Sequence, residues 1–410
     1  MKFTEKISLE TIGDKQFRIK LIEPENNQEA VLTHYLRNLK DKKISDFFKD
    51  DAINFTKEIL ENKYPENEIT TKVAEEALQM GLFEMLEVPF PPVKNPKFTF
   101  IDLFAGIGGF RLALQNLGGK CVFTSEWDKE AKKTYKANFG EVPFGDITKE
   151  STKAYIPDEF DILCAGFPCQ AFSIAGNRKG FADTRGTLFF DIEEIVNKHR
   201  PKVIFLENVK NLVSHDKGNT FKIIVDILEN KLKYKVFAKV LNSATHANIP
   251  QNRERIFIVA FDPEQVENYV AFKFPDAIKL TKTIHDVLQE GKQAENLYYK
   301  NDHQYYPELL KTMVSKDTVY QWRRVYAREN KSNLCPTLTA NMGTGGHNVP
   351  LIKDDFGIRK LTPRECFLFQ GYPENYILPN LANSRLYMQA GNSVTTTLIE
   401  RISSEILNVL

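Results

Sequence analysis

The pattern of apolar and polar positions divides the chain into a charged, helical first part and a longer part with a different period. Residues 27–39 and 70–88 place apolar side chains at steps of three and four, which predicts amphipathic helices. The segment PFPPVKNP, residues 89–96, holds four prolines in eight positions and can continue neither a helix nor a central strand. We therefore predict a helical N-terminal extension over residues 1–95 that ends in a proline-rich linker.

Beyond the linker, short apolar runs alternate with segments of helical spacing. The apolar runs lie at residues 98–106, 120–128, 142–148, 160–168, 202–209 and 255–261, and the helical segments at 109–119, 130–140, 187–199 and 220–232. This alternation predicts an α/β fold with a doubly wound, Rossmann-like sheet, which we assign to residues 96–280. It fails over residues 281–385, where aromatic and basic side chains are interleaved, so we predict a smaller domain there. Residues 386–410, with a helical tail, complete the first domain.

Composition narrows the class of protein. The 410 residues hold 55 Lys and Arg against 54 Asp and Glu, a net charge of +1, so a nucleic-acid partner would need basic residues concentrated in a cleft. Residues 1–95 carry 14 basic and 18 acidic side chains, a net charge of −4, which argues against a dominant DNA-binding surface there. The five cysteines include no C-x-x-C pair, so we expect neither a disulfide framework nor a metal site. Without a signal peptide or an apolar run of ~20 residues, we expect a cytoplasmic protein with no membrane partner.

The first predicted strand leads into DLFAGIGGF, residues 102–110, a glycine-rich turn that would let a ligand approach the backbone closely. The next strand ends at Glu126, which could accept hydrogen bonds from ribose hydroxyls, and Trp127 could stack on an adenine. Asp146 ends a further predicted strand and could bind the exocyclic amine of the adenine. Without a phosphate-binding lysine, these side chains favour S-adenosylmethionine over ATP. The alternative is a set of ordinary loop glycines and solvated acids.

GFPCQ, residues 166–170, raises the question whether Cys169 is a small core residue or a nucleophile. It follows a predicted strand, at the edge where α/β enzymes place their sites. The next apolar run ends in Glu207, and a carboxylate there is costly unless it is paired or catalytic. Arg253 and Arg255 lie on one face of an extended segment. Taken alone, Cys169 is better explained as a buried hydrophobe; together with Glu207 and Arg255, it is better explained as a nucleophile.

An ordered series of motifs points to a family. The segments DLFAGIGGF, GFPCQAFS, RGTLFF, ENV, QNRER, PTLTA, RKLTPRECFLFQGYP and QAGNSV resemble, in unpermuted order, the motifs of the DNA cytosine-C5 methyltransferases. The likeness covers about residues 98–410 and is nearest to the bacterial restriction–modification type. It implies an enzyme that transfers a methyl group from S-adenosylmethionine to C5 of cytosine in double-stranded DNA. We expect it to act as a monomer, to use no metal, and to have a cognate restriction endonuclease in the same system.

The resemblance also implies roles for individual residues. Cys169 would attack C6 of a cytosine flipped out of the duplex, Glu207 would contact N3 and the exocyclic amine, and Arg255 would hold O2. Arg253 would support that geometry. The implied cofactor-binding residues are Phe104, Gly106, Ile107, Gly108, Glu126, Trp127, Asp146, Ile147, Pro168, Leu188, Asn392 and Val394. The implied DNA contacts are Ser173 in a mobile active-site loop and Thr337 near the flipped nucleotide. In the target-recognition domain at 281–385, Arg323 and Arg324 could read a base or bind only phosphate.

Two other interpretations stay open at this point. The first is an RNA cytosine-C5 methyltransferase of the tRNA type, and the second is a DNA-binding repressor that kept the fold without the chemistry. The sizeable domain at residues 281–385 favours DNA over RNA, and the intact set of Cys169, Glu207 and Arg255 favours an enzyme. A general likeness of residues 320–350 to other methyltransferases leads us to expect a short palindromic site of the CC…GG kind. The extension at residues 1–95 could serve regulation or packing.

Overall fold

The computed structural model describes residues 7–13, 16–21, 27–85, 87–168, 188–344 and 348–410; Cys169 and Ser173 lie outside them. The N-terminal region contains two antiparallel strands, β1 (Ile7–Gly13) and β2 (Gln16–Leu21), followed by α1 (Asn27–Arg37), α2 (Lys42–Lys63) and α3 (Thr71–Met85). The sequence pattern predicted helices here but not the strand pair. The described residues from 87 to 97 form neither helix nor strand, as their prolines predicted.

A six-stranded sheet forms the centre of the larger domain. Its strands are β3 (Phe98–Leu103), β4 (Gly119–Ser125), β5 (Ile162–Gly166), β6 (Val203–Val209), β7 (Lys235–Asn242) and, after the two-residue β8 (Gln251–Asn252), β9 (Glu254–Phe261). The intervening helices are α4 (Gly109–Asn116), α5 (Lys129–Phe139), α6 (Glu150–Lys153), α7 (Leu188–His199), α8 (Asn219–Asp226) and α9 (Ser243–His246).

The strand order is β4-β3-β5-β6-β9-β7, and every strand runs in the same direction except β9. The chain moves outward from β3 to β4 and then returns to the other side of β3 with β5. Such a reversal opens a crevice at the carboxyl ends of the two strands, where α/β proteins bind ligands. The predicted doubly wound α/β class is confirmed. The predicted strand at 142–148 is wrong, because only Phe144 bridges to Ser125, and Pro143 and Gly145 flank it and interrupt a ladder.

The rest of the chain builds a second sheet and the helices around it. The strands β10 (Tyr320–Arg323), β11 (Tyr326–Glu329), β13 (Leu351–Asp354) and β14 (Gly357–Lys360) form a sheet in the order β11-β10-β13-β14, and β12 (Cys335–Pro336) pairs with β8. The helices are α10 (Tyr306–Thr312), α11 (Pro363–Leu368), α12 (Asn383–Asn392) and α13 (Thr396–Leu407). No helix in the described part of the chain is both long and apolar enough to cross a membrane.

The two faces of the central sheet are covered by different layers. Successive residues of a strand point to opposite faces. Ile101 and Leu103 belong to an apolar cluster with α7, α8 and the N-terminal helices α1, α2 and α3. Phe100 belongs to a cluster with α4 and α13 on the opposite face. The N-terminal helices therefore share a core with the sheet, and α13 returns from the far end of the chain to cover its other face.

Candidate active site

Backbone strain marks the turn between β3 and α4. Phe104 has a φ of +55°, a left-handed conformation that is costly for a residue with a Cβ, and Gly106 and Gly108 have φ values of +55° and +79°. A Cβ added to Gly108 would lie 2.3 Å from a ring carbon of Phe139, whereas one added to Gly106 would meet no atom within 4 Å. Gly108 is therefore required by packing, and Gly106 faces open space in which a ligand can approach the backbone.

Glu126 closes this turn from the end of the neighbouring strand. Its Oε2 accepts the N–H of Gly106 at 2.7 Å, and its Oε1 accepts the N–H groups of Trp127 at 2.9 Å and Asp128 at 2.8 Å. Burial raises the pKa of Glu126, and the three amides oppose that rise. Because a carboxylate offers about four acceptor sites, capacity remains for a hydroxyl of a ligand. The indole of Trp127 beside it is 76% exposed and available for stacking.

Residues 141–148, called the 141–148 loop below, lie beside Glu126. The N–H of Glu126 donates to the carbonyl of Phe144 at 2.9 Å, which fixes the loop against the end of β4. Two residues on, Oδ1 of Asp146 accepts both the N–H and the hydroxyl of Thr148, at 3.0 and 2.9 Å. Since both bonds end on Oδ1, Oδ2 can accept a hydrogen bond from a ligand. The structure thus brings Asp146 to the same edge as Glu126.

A buried ion pair lies at the adjacent strand ends. Gly166, the last residue of β5, is paired with Glu207 of β6, and Nε of Arg255 lies 3.0 Å from Oε1 of Glu207. The N–H is not aimed well enough to make a hydrogen bond, so Oε1 has a cation beside it but no donor. Burial raises the pKa of Glu207, and the charges of Arg255 and Arg253 oppose the rise. A buried carboxyl with a raised pKa and a charged partner beside it is typical of functional sites. Cys169 follows Gly166 by three positions.

Arg253 serves a different purpose from Arg255. Its nearly fully buried guanidinium donates to the carbonyls of Leu338 at 2.8 Å, Gly391 at 3.3 Å and Ser393 at 2.5 Å. These carbonyls come from two distant parts of the sequence, so Arg253 ties them to the start of β9. The predicted supporting role for this residue remains a proposal, and its hydrogen bonds are those of a positioning residue.

The segment after α12 completes the edge around the glycine-rich turn. A methyl carbon of Val394 lies 2.6 Å from where a Cβ of Gly109 would be, and its other methyl carbon lies 3.8 Å from the same position on Gly166. The hydroxyl of Tyr376 donates to the carbonyl of Ile107 at 2.5 Å. The other predicted cofactor residues differ in exposure, Ile147 being buried, Leu188 half-buried, and Pro168 and Asn392 exposed. Val394 therefore lies against both the start of α4 and the end of β5.

The family model described as C-5 cytosine-specific DNA methylase matches residues 98–408, about three quarters of the chain. The chain belongs to this family of DNA methylases. The match begins at β3 and leaves the N-terminal strands and helices outside it.

Individual relatives of the methylase agree with the family match. It is 52% identical over 309 residues to the type II methyltransferase M.Bsp6I of Bacillus sp. (strain RFL6), covering 74% of this chain and 97% of the relative. It is 46% identical over 354 residues to the type II methyltransferase M.HpaII of Haemophilus parainfluenzae, covering 82% of this chain and 96% of the relative. The S. pombe Dnmt2 methyltransferase shares the fold, with a TM-score of 0.56, 19% identity, and coverage of 76% of this chain and 99% of that one.

The residues that were predicted to contact DNA lie on the smaller sheet and next to β8. Arg323 and Arg324 are exposed at the turn between β10 and β11, where Arg324 has a φ of +55°. Nη2 of Arg323 donates to the side chain of Gln321 at 2.8 Å. The hydroxyl of Thr337 donates to the carbonyl of Asn252 at 2.6 Å, which fixes it beside β8 and the start of β9. Ser173 lies outside the described residues.

Asp102 is a candidate that the sequence pattern did not single out. It is fully buried in β3 just before the glycine-rich turn, and neither carboxyl oxygen has a hydrogen-bond partner. Burial raises the pKa of Asp102 to about 8, against the opposing charge of Arg111 in the first turn of α4. The signal was present in the sequence as an acid inside the apolar run FTFIDLF, where an unpaired carboxylate is costly.

The donor set of the methylase fits S-adenosylmethionine, which carries cationic sulfonium and ammonium groups. The carboxyl of Glu126, buried at the end of β4, favours a cation at this edge of the sheet. Gly106 leaves room for a ligand beside the backbone, and the exposed indole of Trp127 offers a surface on which an adenine can stack.

Proposed function

We propose that this methylase is the type II methyltransferase of a restriction–modification system and methylates C5 of a cytosine flipped out of duplex DNA. The buried pair of Glu207 and Arg255, 3.0 Å apart at the strand end next to Gly166, carries the proposal. A base stacked in a duplex cannot reach groups at that depth, so the base has to leave the stack. The type II methyltransferases to which the chain is 52% and 46% identical support the assignment.

In the proposed reaction, the thiolate of Cys169 forms a bond to C6 of the cytosine. The electron pair of the C5–C6 double bond moves toward C4, and that of the C4–N3 bond moves to N3, where Glu207 donates a proton. Arg255 binds O2 and stabilises the charge that develops on the ring. The adduct has enamine character, so C5 becomes nucleophilic. After methylation, a water removes the C5 proton, the double bond forms again, and the thiolate leaves.

The raised pKa of Glu207 supports its role as the proton donor. A carboxyl with an ordinary pKa is ionised at neutral pH and has no proton to give, whereas burial shifts Glu207 toward the acid form. Arg255 limits the shift, so the same carboxyl can take the proton back from N3 when the adduct collapses. Arg253 keeps Arg255 and the strand end in place through the carbonyls of Leu338 and Ser393.

The cofactor site of the proposal lies around the glycine-rich turn. S-adenosylmethionine, when bound, supplies a methyl group on a positively charged sulfonium to a nucleophilic carbon. Glu126 would accept hydrogen bonds from the ribose hydroxyls, and Trp127 would stack on the adenine. Oδ2 of Asp146 would accept a hydrogen bond from the exocyclic amine of the adenine. The remaining contacts would come from Phe104, Gly106, Ile107, Gly108, Ile147, Pro168, Leu188, Asn392 and Val394.

DNA recognition is assigned to residues 281–385, beside a catalytic domain formed by 96–280 and 386–410. Arg323 and Arg324 would reach guanine or phosphate, since arginine to guanine is the commonest specific contact in the major groove. Thr337 and Ser173 would contact the strand that carries the flipped base. We propose that the enzyme acts as a monomer on a short palindrome of the CC…GG kind and protects that site from a cognate endonuclease.

The proposed function is tested by transferring tritiated methyl groups from S-adenosylmethionine to unmethylated duplex DNA and mapping the product by bisulfite sequencing. We expect label at C5 of cytosine within one short motif, which also gives the recognition site. Transfer RNA serves as the competing substrate in a parallel reaction. Label on the RNA in place of the duplex, or none on either while the cofactor still binds, would overturn the proposal.

A further inference from the structure

Asn27, the first residue of α1, is bonded to the 141–148 loop directly before Asp146. Its Oδ1 accepts the N–H of Gly145 at 2.9 Å, and its Nδ2 donates to the hydroxyl of Thr152 in α6 at 3.1 Å. A Cβ added to Gly145 would lie 3.3 Å from the same Oδ1, so the two segments are in close contact. The side chain of Asn27 therefore fixes the backbone next to Asp146, the residue that is proposed to bind the adenine.

The N-terminal helices hold the 141–148 loop at two further points. The hydroxyl oxygen of Thr33, which is fully buried, accepts the N–H of Val142 at 3.0 Å. The ring of Phe144 contacts His34 of α1, with centroids 4.8 Å apart, and stacks on Phe48 of α2 at 6.0 Å. The loop is thus held through its backbone and through its aromatic side chain, Phe144.

A buried group of charges connects α1 to α4 through the start of the loop. Glu141 accepts two hydrogen bonds from the guanidinium of Arg111, at 2.5 and 3.1 Å, and Nε2 of His34 lies 3.8 Å from the same carboxylate. The guanidinium of Arg37 lies over Gly140, where a Cβ would be 1.6 Å from Nη2. Removing one partner of a buried ion pair is strongly destabilising, because it leaves the other charge buried and unpaired. The start of the loop is therefore locked between α1 and the helix that follows the glycine-rich turn.

The position of this loop decides where Asp146 stands relative to Glu126, because the loop meets the end of β4 at Phe144, whose carbonyl accepts the N–H of Glu126 at 2.9 Å and whose N–H donates to the carbonyl of Thr124 at 2.8 Å. We propose that α1 and α2 are a built-in support for the cofactor site, which holds the 141–148 loop so that Asp146 meets the adenine amine of S-adenosylmethionine. This inference rests on the proposed function, in which Asp146 binds that amine. The supporting helices lie outside the region that matches the methylase family, residues 98–408.

A general stabilising role for these helices would have a different signature. Because α1, α2 and α3 share an apolar cluster with the central sheet, changes in them can lower stability without touching the cofactor. If the helices support Asp146, changes in them should alter how strongly the protein prefers an adenine over a purine without the amine. The ratio of the two affinities is therefore the decisive quantity, since a loss of overall stability leaves that ratio unchanged.

The test uses the full chain and isothermal titration with S-adenosylhomocysteine and with S-inosylhomocysteine, in which a carbonyl oxygen replaces the amine. We expect Asn27→Ala and Thr33→Val each to weaken S-adenosylhomocysteine binding about fivefold to tenfold, the value of one lost hydrogen bond. Binding of the inosyl compound should change much less, so the ratio of affinities falls. Lys43→Ala is the matched control, because its exposed pair with Glu159 joins α2 to the catalytic domain away from the loop. It should change either affinity by less than about twofold.

Asp146→Ala separates a failure of this inference from a failure of the proposed function. We expect it to remove the discrimination, and Asn27→Ala added to it should have little further effect. If Asp146→Ala removes the discrimination while both N-terminal variants keep the wild-type ratio, the support is refuted and the cofactor site stands. If Asp146→Ala itself keeps the wild-type ratio, the role proposed for Asp146 is wrong and the inference falls with it.

Discussion

At the scale of single residues, the two buried acids Glu207 and Asp102 show how different surroundings change the properties of the same carboxyl group. Burial raises the pKa of both. Glu207 has the guanidinium of Arg255 at 3.0 Å, and that charge opposes the rise. Asp102 has no hydrogen-bond partner and, with a pKa of about 8, is mostly protonated at neutral pH. We therefore expect catalytic effects from changing the first and a pH-dependent stability effect from changing the second.

Asp102→Asn should flatten the pH dependence of stability. The folded chain holds one more proton than the unfolded chain between the ordinary pKa of 3.8 and the folded value of about 8. The free energy of unfolding therefore falls as pH rises through that window, by at most about 1.4 kcal/mol per unit. An amide has no such dependence. Urea unfolding between about pH 5 and pH 8 should show the difference, variant minus wild type, moving in favour of the variant as pH rises.

Asp161→Asn is the matched control for that measurement. Burial alone would raise the pKa of Asp161, but Lys202 at 2.8 Å and the N–H of Thr99 at 2.8 Å hold it below its ordinary value. Its stabilising contribution is complete above the unfolded pKa and is lost only as pH falls through the folded one. The difference between this variant and wild type should stay constant over the same pH range. A constant difference for Asp102→Asn as well would contradict the assigned state of Asp102.

Glu207→Gln should lower kcat by about 10²–10⁴-fold, because the amide cannot donate a proton to N3 as the acid does. Affinity for S-adenosylhomocysteine should stay near that of wild type, since Glu207 lies on the cytosine side of the site. Steady-state methyl transfer and titration calorimetry measure the two quantities. Glu254→Gln is the control, because Glu254 forms an exposed pair with Lys210 at 2.9 Å and is next to Arg255 in sequence. Near-normal turnover of Glu207→Gln would remove Glu207 from the mechanism.

At the scale of elements, the turn between β3 and α4 divides its glycines between packing and ligand access. Gly108→Ala combines a left-handed φ with a Cβ 2.3 Å from the Phe139 ring, so the free energy of unfolding should fall by about 2–4 kcal/mol. Gly106→Ala meets no atom within 4 Å and should cost about 1 kcal/mol, from its φ alone. Urea unfolding of both variants measures this contrast.

In cofactor binding the order of the two variants should be reversed, so that Gly106→Ala loses more affinity than Gly108→Ala. A methyl group at Gly106 enters the space that the ligand is proposed to occupy, so affinity for S-adenosylhomocysteine should fall about tenfold or more. Gly108→Ala, in the fraction that stays folded, should bind more nearly as wild type does. Equal binding by Gly106→Ala and wild type would show that the open space at this glycine is not the ligand site.

Element prediction from sequence succeeded where the pattern and the backbone agree. Short apolar runs gave β3, β5 and β6, and their order along the chain gave the α/β class. Residues 142–148 have the apolar content of a strand, but Pro143 cannot donate to a ladder and Gly145 weakens one, so only a bridge forms. The strands β1, β2 and β7 lie in segments with no clear apolar run, and pairing with a neighbour rather than local pattern makes them strands.

At the scale of the whole molecule, contacts between distant segments build the site. Arg253 ties β9 to carbonyls at 338, 391 and 393, and Val394 packs on glycines of two strand ends. Sequence motifs gave the residue types and their order but not these contacts, since a motif does not say which carbonyl an arginine meets. The helical pattern of residues 27–39 likewise predicted an apolar face, but not that this face shares a core with the catalytic sheet.

Arg253→Met should destabilise the protein by about 3 kcal/mol or more, because three buried carbonyls lose their donor. Arg253→Lys, whose ammonium group can reach fewer of these carbonyls, should have a stability between that of Arg253→Met and that of wild type. Urea unfolding measures both, and kcat should fall in the same order because the strand end that bears Arg255 loses its support. A stable Arg253→Met with low kcat would show that Arg253 acts on the substrate directly.

The return of α13 to the face that bears α4 has a consequence for synthesis on the ribosome. The side chains of Asn116 and Glu400, 284 positions apart, are joined by a hydrogen bond of 3.0 Å. The glycine-rich turn leaves the ribosome long before α13 can cover the sheet and before Val394 can reach Gly109, so nascent chains carry an uncovered apolar face. Partly made chains therefore lack the contacts that α13 makes, and in a cell that newly acquires this gene methylation activity rises only as finished molecules accumulate.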